Sequence, residues 1–521
     1  LVAKTMKEQI EESYGAGFPA YYLEDWVFQE NYATERLQGQ FGVASLKGFG
    51  INGLHAGIIA AGVILYYLNE TEHAQLDHIT RIHRLDREVQ MWMDPFTIRN
   101  LELIYPNAPQ ATTLLKVMDH TKTPMGGRML KRWLVAPLTD LIAIEKRLSV
   151  VTDFYQHSNR KHRMQELLQS VGDLERLMAK VATGRIGPRA INQLKNSLLL
   201  IPKVTEITSQ SDQEALRFLG EGLDSCSACC QWIKDRLSED APTQLGKGDT
   251  IASGYSVELD DYRSIAHDGK KILDEMLERE TEKTGISSLK ISFNNVFGYY
   301  IEVRNTHKDK VPETWIRKQT LVNAERYITE ELKVYETKII GAEDHIAQLE
   351  QRLFQELVKG LLPYIKAIQN NARILAELDC LCGFASLAKA RNYHCPILND
   401  GDSLTIVQGR HPVIEYQMPP EESYIPNDLE LNKNNQQIIM ITGPNMSGKS
   451  AVLRQTALIV LMAQVGSYIP ADRAEIGFVD KLFTRVGAND NISLGESTFM
   501  VEMNETAAIV NNLSSRSLVL L

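Results

Sequence analysis

Two periods of apolar residues organise the middle of this chain. Leu332, Tyr335, Ile339, Ala342, Ile346, Leu349 and Leu353 are spaced alternately three and four apart, with Glu, Lys and Gln filling many positions between them. Such a seam, sustained over three heptads, predicts a long helix that needs a partner along one stripe. The stretch Asp261–Lys283 has a helical pattern and no proline, and is the expected antiparallel partner. Between these arms the period falls to two. Leu289, Ile291 and Phe293 alternate with polar residues, and after Asn-Val-Phe-Gly the positions Tyr299, Ile301 and Val303 alternate with Tyr300, Glu302 and Arg304. Two alternating runs around an Asn/Gly-containing turn predict a β-hairpin. A small β-rich tip is therefore expected at the end of two helical arms.

Elsewhere the pattern is mixed. Residues 1–86 combine short apolar runs and glycines with one helical stretch, Gly53–Leu68, as in an α/β unit. The longest nearly apolar run, Leu54–Leu68, holds fifteen residues and a histidine, which is too short for a bilayer and suits a buried helix. From Asp94 to about Asp240 helical spacing dominates, and Thr123–Leu138 predicts a helix begun at Pro124 and stopped before Pro137. Near the end, Gln436–Thr442 reads as a short buried strand, Ser450–Val465 as a helix stopped by Gly466, and Ser517–Leu521 as a further buried strand.

Between that first strand and its helix lies Gly443-Pro444-Asn445-Met446-Ser447-Gly448-Lys449-Ser450. The pattern Gly-x-x-x-x-Gly-Lys-Ser is expected by chance only about 0.02 times in a chain of this length. Its glycines let backbone N–H groups curl toward phosphates at the positive end of a helix. Lys449 is expected to reach the β and γ phosphates of a nucleotide, and the Ser450 hydroxyl to ligate Mg2+. Hydrolysis also needs a metal-holding acid, commonly at the end of another buried strand. The chain stops at the strand 517–521, so that acid is expected beyond Leu521, with Asp480 and Asp490 read as turn or surface residues.

At 521 residues, three or four domains are expected. A net charge of −10 excludes a global attraction to nucleic acid, so such binding must rest on a local patch. The tip offers one: residues 284–327 carry seven Lys or Arg against four acids. Lys290, Arg304, Lys308, Arg317 and Lys318, with Asn294 and Asn295, are donors suited to phosphate oxygens. The cysteines at 226, 229, 230, 380, 382 and 395 lack a second pair at finger-like spacing, so reduced thiols are expected rather than zinc.

Several long motifs together resemble the MutS family of DNA mismatch-repair proteins. "GPNMSGKS", "RQTALIVLMAQVGSYIPA", "FTRVGANDNISLGESTFMVEMNETAAIV", "VQGRHPVIE" and "SLVLL" resemble its ATPase domain. "FNNVFGYYIEV" and "RKQTLVNAERYITEELKVYE" resemble its clamp and lever, "DPFTIRNLEL" and "TPMGGRMLKRWLVAPL" its core, and "QFGVASLKGFG" its connector. The resemblance implies a multidomain α+β protein. Its parts would be an α/β connector (1–86), a mostly helical core with the first coiled-coil lever arm (87–283), a small β-rich clamp (284–327), a long lever helix returning to the core (328–395) and an ABC-type P-loop α/β ATPase domain (396–521).

It further implies ATP/ADP with Mg2+ as cofactors, double-stranded DNA as ligand, a homodimer with composite ATP sites, a MutL-type repair partner and a cytoplasmic, DNA-associated location without a membrane. Tyr424 matches the position that stacks on adenine, Asn445 the loop asparagine near the γ-phosphate, and Ser497 the signature serine that acts on the partner subunit's nucleotide. The family's mismatch-reading domain, its catalytic acids and its dimerisation segment find no match here, and the first residue is Leu. A fragment without ATP turnover is expected. The alternatives are a recombination-type homologue naturally lacking the mismatch domain, an SMC-like chromosome-organising ATPase, or a small-molecule kinase. In SMC-like proteins the phosphate loop precedes the coil, and a kinase leaves the arms unexplained.

Overall fold

A computed structural model of the chain describes residues 2–7, 20–43, 45–49, 51, 53–72, 76, 79–80, 82, 90–108, 111–294, 298–419, 421–444, 447–485, 503, 506–507 and 509–521. They group into two compact units. One comprises Leu1–Thr183, Asn196–Cys226 and Tyr364–Leu521; the other comprises Gly184–Lys195 and Ser227–Pro363. The strands are β1 (Val2–Ala3), β2 (Tyr22–Leu23), β3 (Trp92–Met93), β4 (Lys290–Asn294), β5 (Gly298–Arg304), β6 (Ile316–Thr320) and β7 (Ala324–Ile328). After them come β8 (Ile397–Asn399), β9 (Leu404–Gly409), β10 (Asn427–Leu431), β11 (Arg473–Gly477), β12 (Lys481–Thr484) and β13 (Ser517–Leu520). No described helix is long and apolar enough to cross a membrane.

In the first unit, β1 and β2 pair in parallel beside the helices Glu30–Phe41 and His55–Glu72. The second of these is the helix expected near Gly53. Gly62 lets it approach closely, since a Cβ there would lie 2.4 Å from the Cβ of Ala33. The helix Pro124–Val135 starts and stops where its prolines predict: Thr123 caps it by accepting from the Gly126 N–H at 2.9 Å, with proline in the first turn. A buried carboxylate holds that cap. Asp379, on the helix Ile365–Arg391, accepts the N–H groups of Lys122 and Thr123 and the Thr123 hydroxyl, at 2.7 to 3.0 Å.

Two sheets complete this unit. One has the order β10-β9-β11-β8, antiparallel but for the β11–β8 pair. The other, β13-β12-β3, is parallel throughout. The segment around Trp92, which lacks a strand pattern, thus joins the sheet built from the chain's end. Further bonds hold it there: Asn100 Nδ2 donates to the Thr484 carbonyl at 3.1 Å, and the Thr484 N–H to the Thr97 hydroxyl at 3.0 Å.

The expected buried strand Gln436–Thr442 does not form. Residues 437–444 have no strand pairing, and Ile438 and Met440 are 84% and 85% exposed. Apolar β-formers favour an extended chain, but a strand is made by ladder partners. Here 437–442 has no ladder partner among the described strands.

The second unit contains the arms. Val257–Thr284 is capped by Ser256 and ends at Gly285 (φ 67°), and Glu330–Lys359 is capped by Thr329. They run antiparallel: Arg279 bonds Glu331 at 2.6 Å, Arg263 bonds Glu350 at 2.7 Å, and Arg352 lies 3.8 Å from Glu258. Of the heptad seam, Leu332, Ile339, Ala342 and Leu349 are buried. The segment 328–395 is not one helix. It breaks at Gly360–Tyr364, where Gly360 lies against the Trp232 ring and Pro363 follows; a glycine and a proline so close together favour the break.

Beyond the arms, the hairpin belongs to an antiparallel sheet of order β4-β5-β7-β6. Its inner face, with Ile301, Val303, Trp315 and Tyr327, joins Leu332 and Ile339 of the arm in one core. Phe293 departs from the alternation and is 49% exposed. It packs on its cross-strand partner Tyr299, with ring centroids 5.1 Å apart.

Candidate functional site

The loop at 443–450 enters the helix Lys449–Val465. Gly443 (φ 152°) and Gly448 (φ 88°) adopt backbone conformations closed to most side chains. A Cβ on Gly443 would lie 3.0 Å from the Ser447 hydroxyl. No side chain caps the helix at Gly448, and the positive end of the helix dipole lies at this turn. Lys449 folds back over the loop, its ammonium donating to the Gly443 and Pro444 carbonyls at 2.7 Å each. Ser450 is exposed in the first turn. From Gln455 to Val465 the helix is buried on every side. Glycines at positive φ, a helix N-terminus without a side-chain cap and a tethered cation are the described features that a phosphate-binding loop would use. Asn445 and Met446, within the same loop, lie outside the described residues, as do Ser497 and Asp490.

Tyr424 is brought to this helix: its hydroxyl donates to Gln455 Oε1 at 2.9 Å while the ring stays half-buried. Asp480 serves a turn, accepting from the Ser514 hydroxyl. The sequence reading missed His411. It caps the helix Pro412–Gln417 through Nδ1, which accepts from the Ile414 N–H at 3.3 Å. Burial, with Arg454 beside it, holds the His411 imidazole down at about 4. It lines a cavity of about 250 Å³ with Ser450, Ala451, Arg454 and Gln417. Its signal was the Gly-Arg-His-Pro run, read only as part of a longer motif.

In the second unit Lys290, Asn294, Arg304, Arg317 and Lys318 fall on the four-stranded sheet, and Lys308 on the 3-10 segment Asn305–Lys310 that follows β5. Lys290 (β4), Arg304 (β5) and Lys318 (β6) are exposed and make no ion pair among the described residues. Lys308 and Arg317 differ, because both lie against the buried carboxylate of Glu325, at 3.3 and 3.4 Å. The Tyr327 hydroxyl also donates to Glu325. Tyr327 and the two cations hold that carboxyl below its ordinary range. Lys318 is the extra residue of a bulge between Arg317 and Gln319 on an edge strand. A bulge breaks the strict alternation that sends neighbours to opposite faces, and Arg317 and Lys318 are both exposed. Asn294 closes β4 opposite Gly298, and Asn295 lies outside the described residues. No group of His, Cys, Asp or Glu able to hold a metal occurs among the described residues, and the described cysteines are free thiols.

Family models match most of the chain: MutS domain II over residues 3–80, MutS domain III over 96–385 and MutS domain V over 439–521. Proteins described as DNA mismatch repair protein MutS are similar along the whole length. That of Christiangramia forsetii is 58% identical over 521 residues, covering 100% of this chain and 60% of the relative. That of Flavobacterium psychrophilum is also 58% identical with the same coverage, and that of Bacteroides fragilis 52% identical over 520 residues. The chain thus spans about 60% of the length of these relatives.

Proposed function

Because the chain belongs to the MutS family of DNA mismatch-repair proteins, we propose that it binds ATP at the loop 443–450 and holds duplex DNA through the sheet β4–β7. The observation that carries this is the geometry of that loop. Lys449 is poised over carbonyls that a polyphosphate, with its full negative charge, outcompetes. Ser450 would hold Mg2+, which supplies charge neutralisation between the β and γ phosphates. Tyr424 offers its ring to adenine, and Asn445 and Ser497 complete the nucleotide contacts, Ser497 from a second copy of the chain. Hydrolysis of ATP and a MutL-type partner belong to this reading as family expectations.

On the DNA side, Lys290, Arg304 and Lys318 would contact phosphates directly, with Arg317, Lys308, Asn294 and Asn295 in support. Such contacts hold DNA without reading sequence. The paired helices Val257–Thr284 and Glu330–Lys359 would act as the lever between nucleotide and DNA, since packed helices move as units. Calorimetric titration with a non-hydrolysable ATP analogue tests the loop, and duplex titration tests the sheet. A protein that binds neither ligand would overturn the reading.

A further inference from the structure

The far end of the phosphate-loop helix is held by an unusual contact. Arg147, on the core helix Leu141–Gln156, donates through Nη1 to the carbonyl of Val465, the last helical residue, at 2.9 Å. Its guanidinium carbon lies 3.5 Å over the centre of the Trp133 ring. No carboxylate reaches ion-pairing distance of it among the described residues, and burial pushes the guanidinium down to about 10. A buried cation is costly unless something compensates it. Here the compensation is the negative end of the helix dipole, the face of an indole and the more distant charge of Glu377.

The surrounding backbone is built for this contact. Gly466 (φ 92°) ends the helix, and a Cβ there would lie 2.6 Å from the Cβ of Arg147. Beside it, the fully buried Gln464 spends its whole amide on the same joint: Nε2 donates to the carbonyls of Leu138 and Val479 at 2.7 and 3.0 Å, and Oε1 accepts from the Val479 N–H at 2.8 Å. The Leu138 N–H in turn donates to the Gln464 carbonyl at 3.1 Å. Thus one rigid rod carries the nucleotide loop at its N-terminus and is gripped by the helical core at its C-terminus.

Resting on the function proposed above, we propose that Arg147 is a positioning residue that couples nucleotide occupancy of the loop to the helical core. Phosphate drawn to the positive end of the rod loads it axially, and Arg147 and Gln464 pass that load to the core helices. An apolar side chain of similar length would fill the space but could neither grip the Val465 carbonyl nor balance the dipole.

Two quantities test this in Arg147→Met and Arg147→Lys proteins: the affinity for a non-hydrolysable ATP analogue, and the ratio of affinities for a short matched duplex with and without that analogue. Arg147→Met should keep its nucleotide affinity within about twofold, because the loop is untouched. Its duplex ratio should collapse toward one, losing most of a coupling that is about 5- to 150-fold in typical linked sites. Arg147→Lys, which keeps the charge but loses the planar stack, should fall between. An unchanged ratio in Arg147→Met, or an equal loss of duplex affinity with and without nucleotide, overturns the proposal and leaves Arg147 a packing residue. If Arg147→Met does not fold, Arg147→Lys decides alone, and a wild-type ratio then overturns it. A wild-type protein that binds no analogue instead removes the reading of the loop, a failure visible before any variant is made.

Discussion

Replacing both Arg317 and Lys318 with alanine tests the proposed DNA-holding role of the sheet most directly. Each phosphate contact that releases a counterion contributes a slope of about −0.9 to log affinity against log salt on duplex DNA. Lys318 is exposed, stands on its bulge and makes no ion pair among the described residues, so it should contribute nearly all of its share. Arg317 shares its charge with Glu325 at 3.4 Å, so its share is smaller. The double variant should therefore flatten the slope by about one to two units, with Lys318→Ala alone giving the larger part. Over a fourfold rise in salt, one lost contact corresponds to a relative change in affinity of about 3.5-fold, and two to about 12-fold. The assay is a fluorescence-anisotropy titration at several salt concentrations, on matched and mismatched duplexes, which should lose the same factor. Glu325→Gln gives the opposite sign: with its counter-charge gone, Arg317 and Lys308 are released and the slope steepens. A double variant that keeps its affinity and slope would mean that the sheet is merely a solvated cap.

Three further outcomes are expected. Lys449→Ala should abolish or greatly weaken binding of an ATP analogue in calorimetry; equal affinity in the variant would remove the loop from the nucleotide site. His411 titrates at about 4 in the folded protein against 6.5 ordinarily. The unfolded chain therefore takes up a proton that the folded one refuses, and stability falls as pH drops below about 6.5, by about 2 kcal/mol at pH 5. His411→Asn keeps a capping side chain and should lose that share of acid sensitivity in urea titrations at pH 7.5 and 5. Gly298→Ala meets a φ of 73° and the Glu336 carboxylate, whose Oε1 would lie 1.8 Å from the new Cβ. It should cost about 1–3 kcal/mol and lower hydrogen-exchange protection along β5, and unchanged protection would mean that the hairpin adapts freely.

What could be read from residues alone was whatever local chemistry decides. Pro124 and Pro137 bracket one helix and Gly466 stops another through fixed or freed dihedrals, and the structure places those ends there. The heptad seam and the alternation at Tyr299–Val303 found their elements for the same reason. What escaped depends on partners remote in sequence. Gln436–Thr442 has the composition of a strand but no ladder, and Trp92–Met93 has little strand pattern yet a parallel neighbour almost four hundred residues away. The Lys and Arg count overstated the free charge of the tip. Arg326 is occupied internally by Glu302, Gln319 and the Tyr300 ring, and Glu325 engages two more cations. Arg147 carried no signal, since a single arginine on an amphipathic helix reads as a solvated residue until its surroundings are known.

The sheet β4-β5-β7-β6 ends on two strands, β4 and β6, whose outer edges have no strand partner among the described residues. Such edges invite a strand from another molecule, and proteins commonly defend them with lysine, bulges and short lengths. All three defences are present here: a lysine on each strand (Lys290 on β4, Lys318 on β6), a bulge on β6, and a length of five residues for each strand. The cations assigned to DNA thus also act as gatekeepers against edge-to-edge aggregation. A neutral substitution at Lys290 or Lys318 would therefore carry two consequences at once, a weaker version of the proposed grip on phosphate and a more adhesive sheet border, readable as aggregation even where no DNA is present.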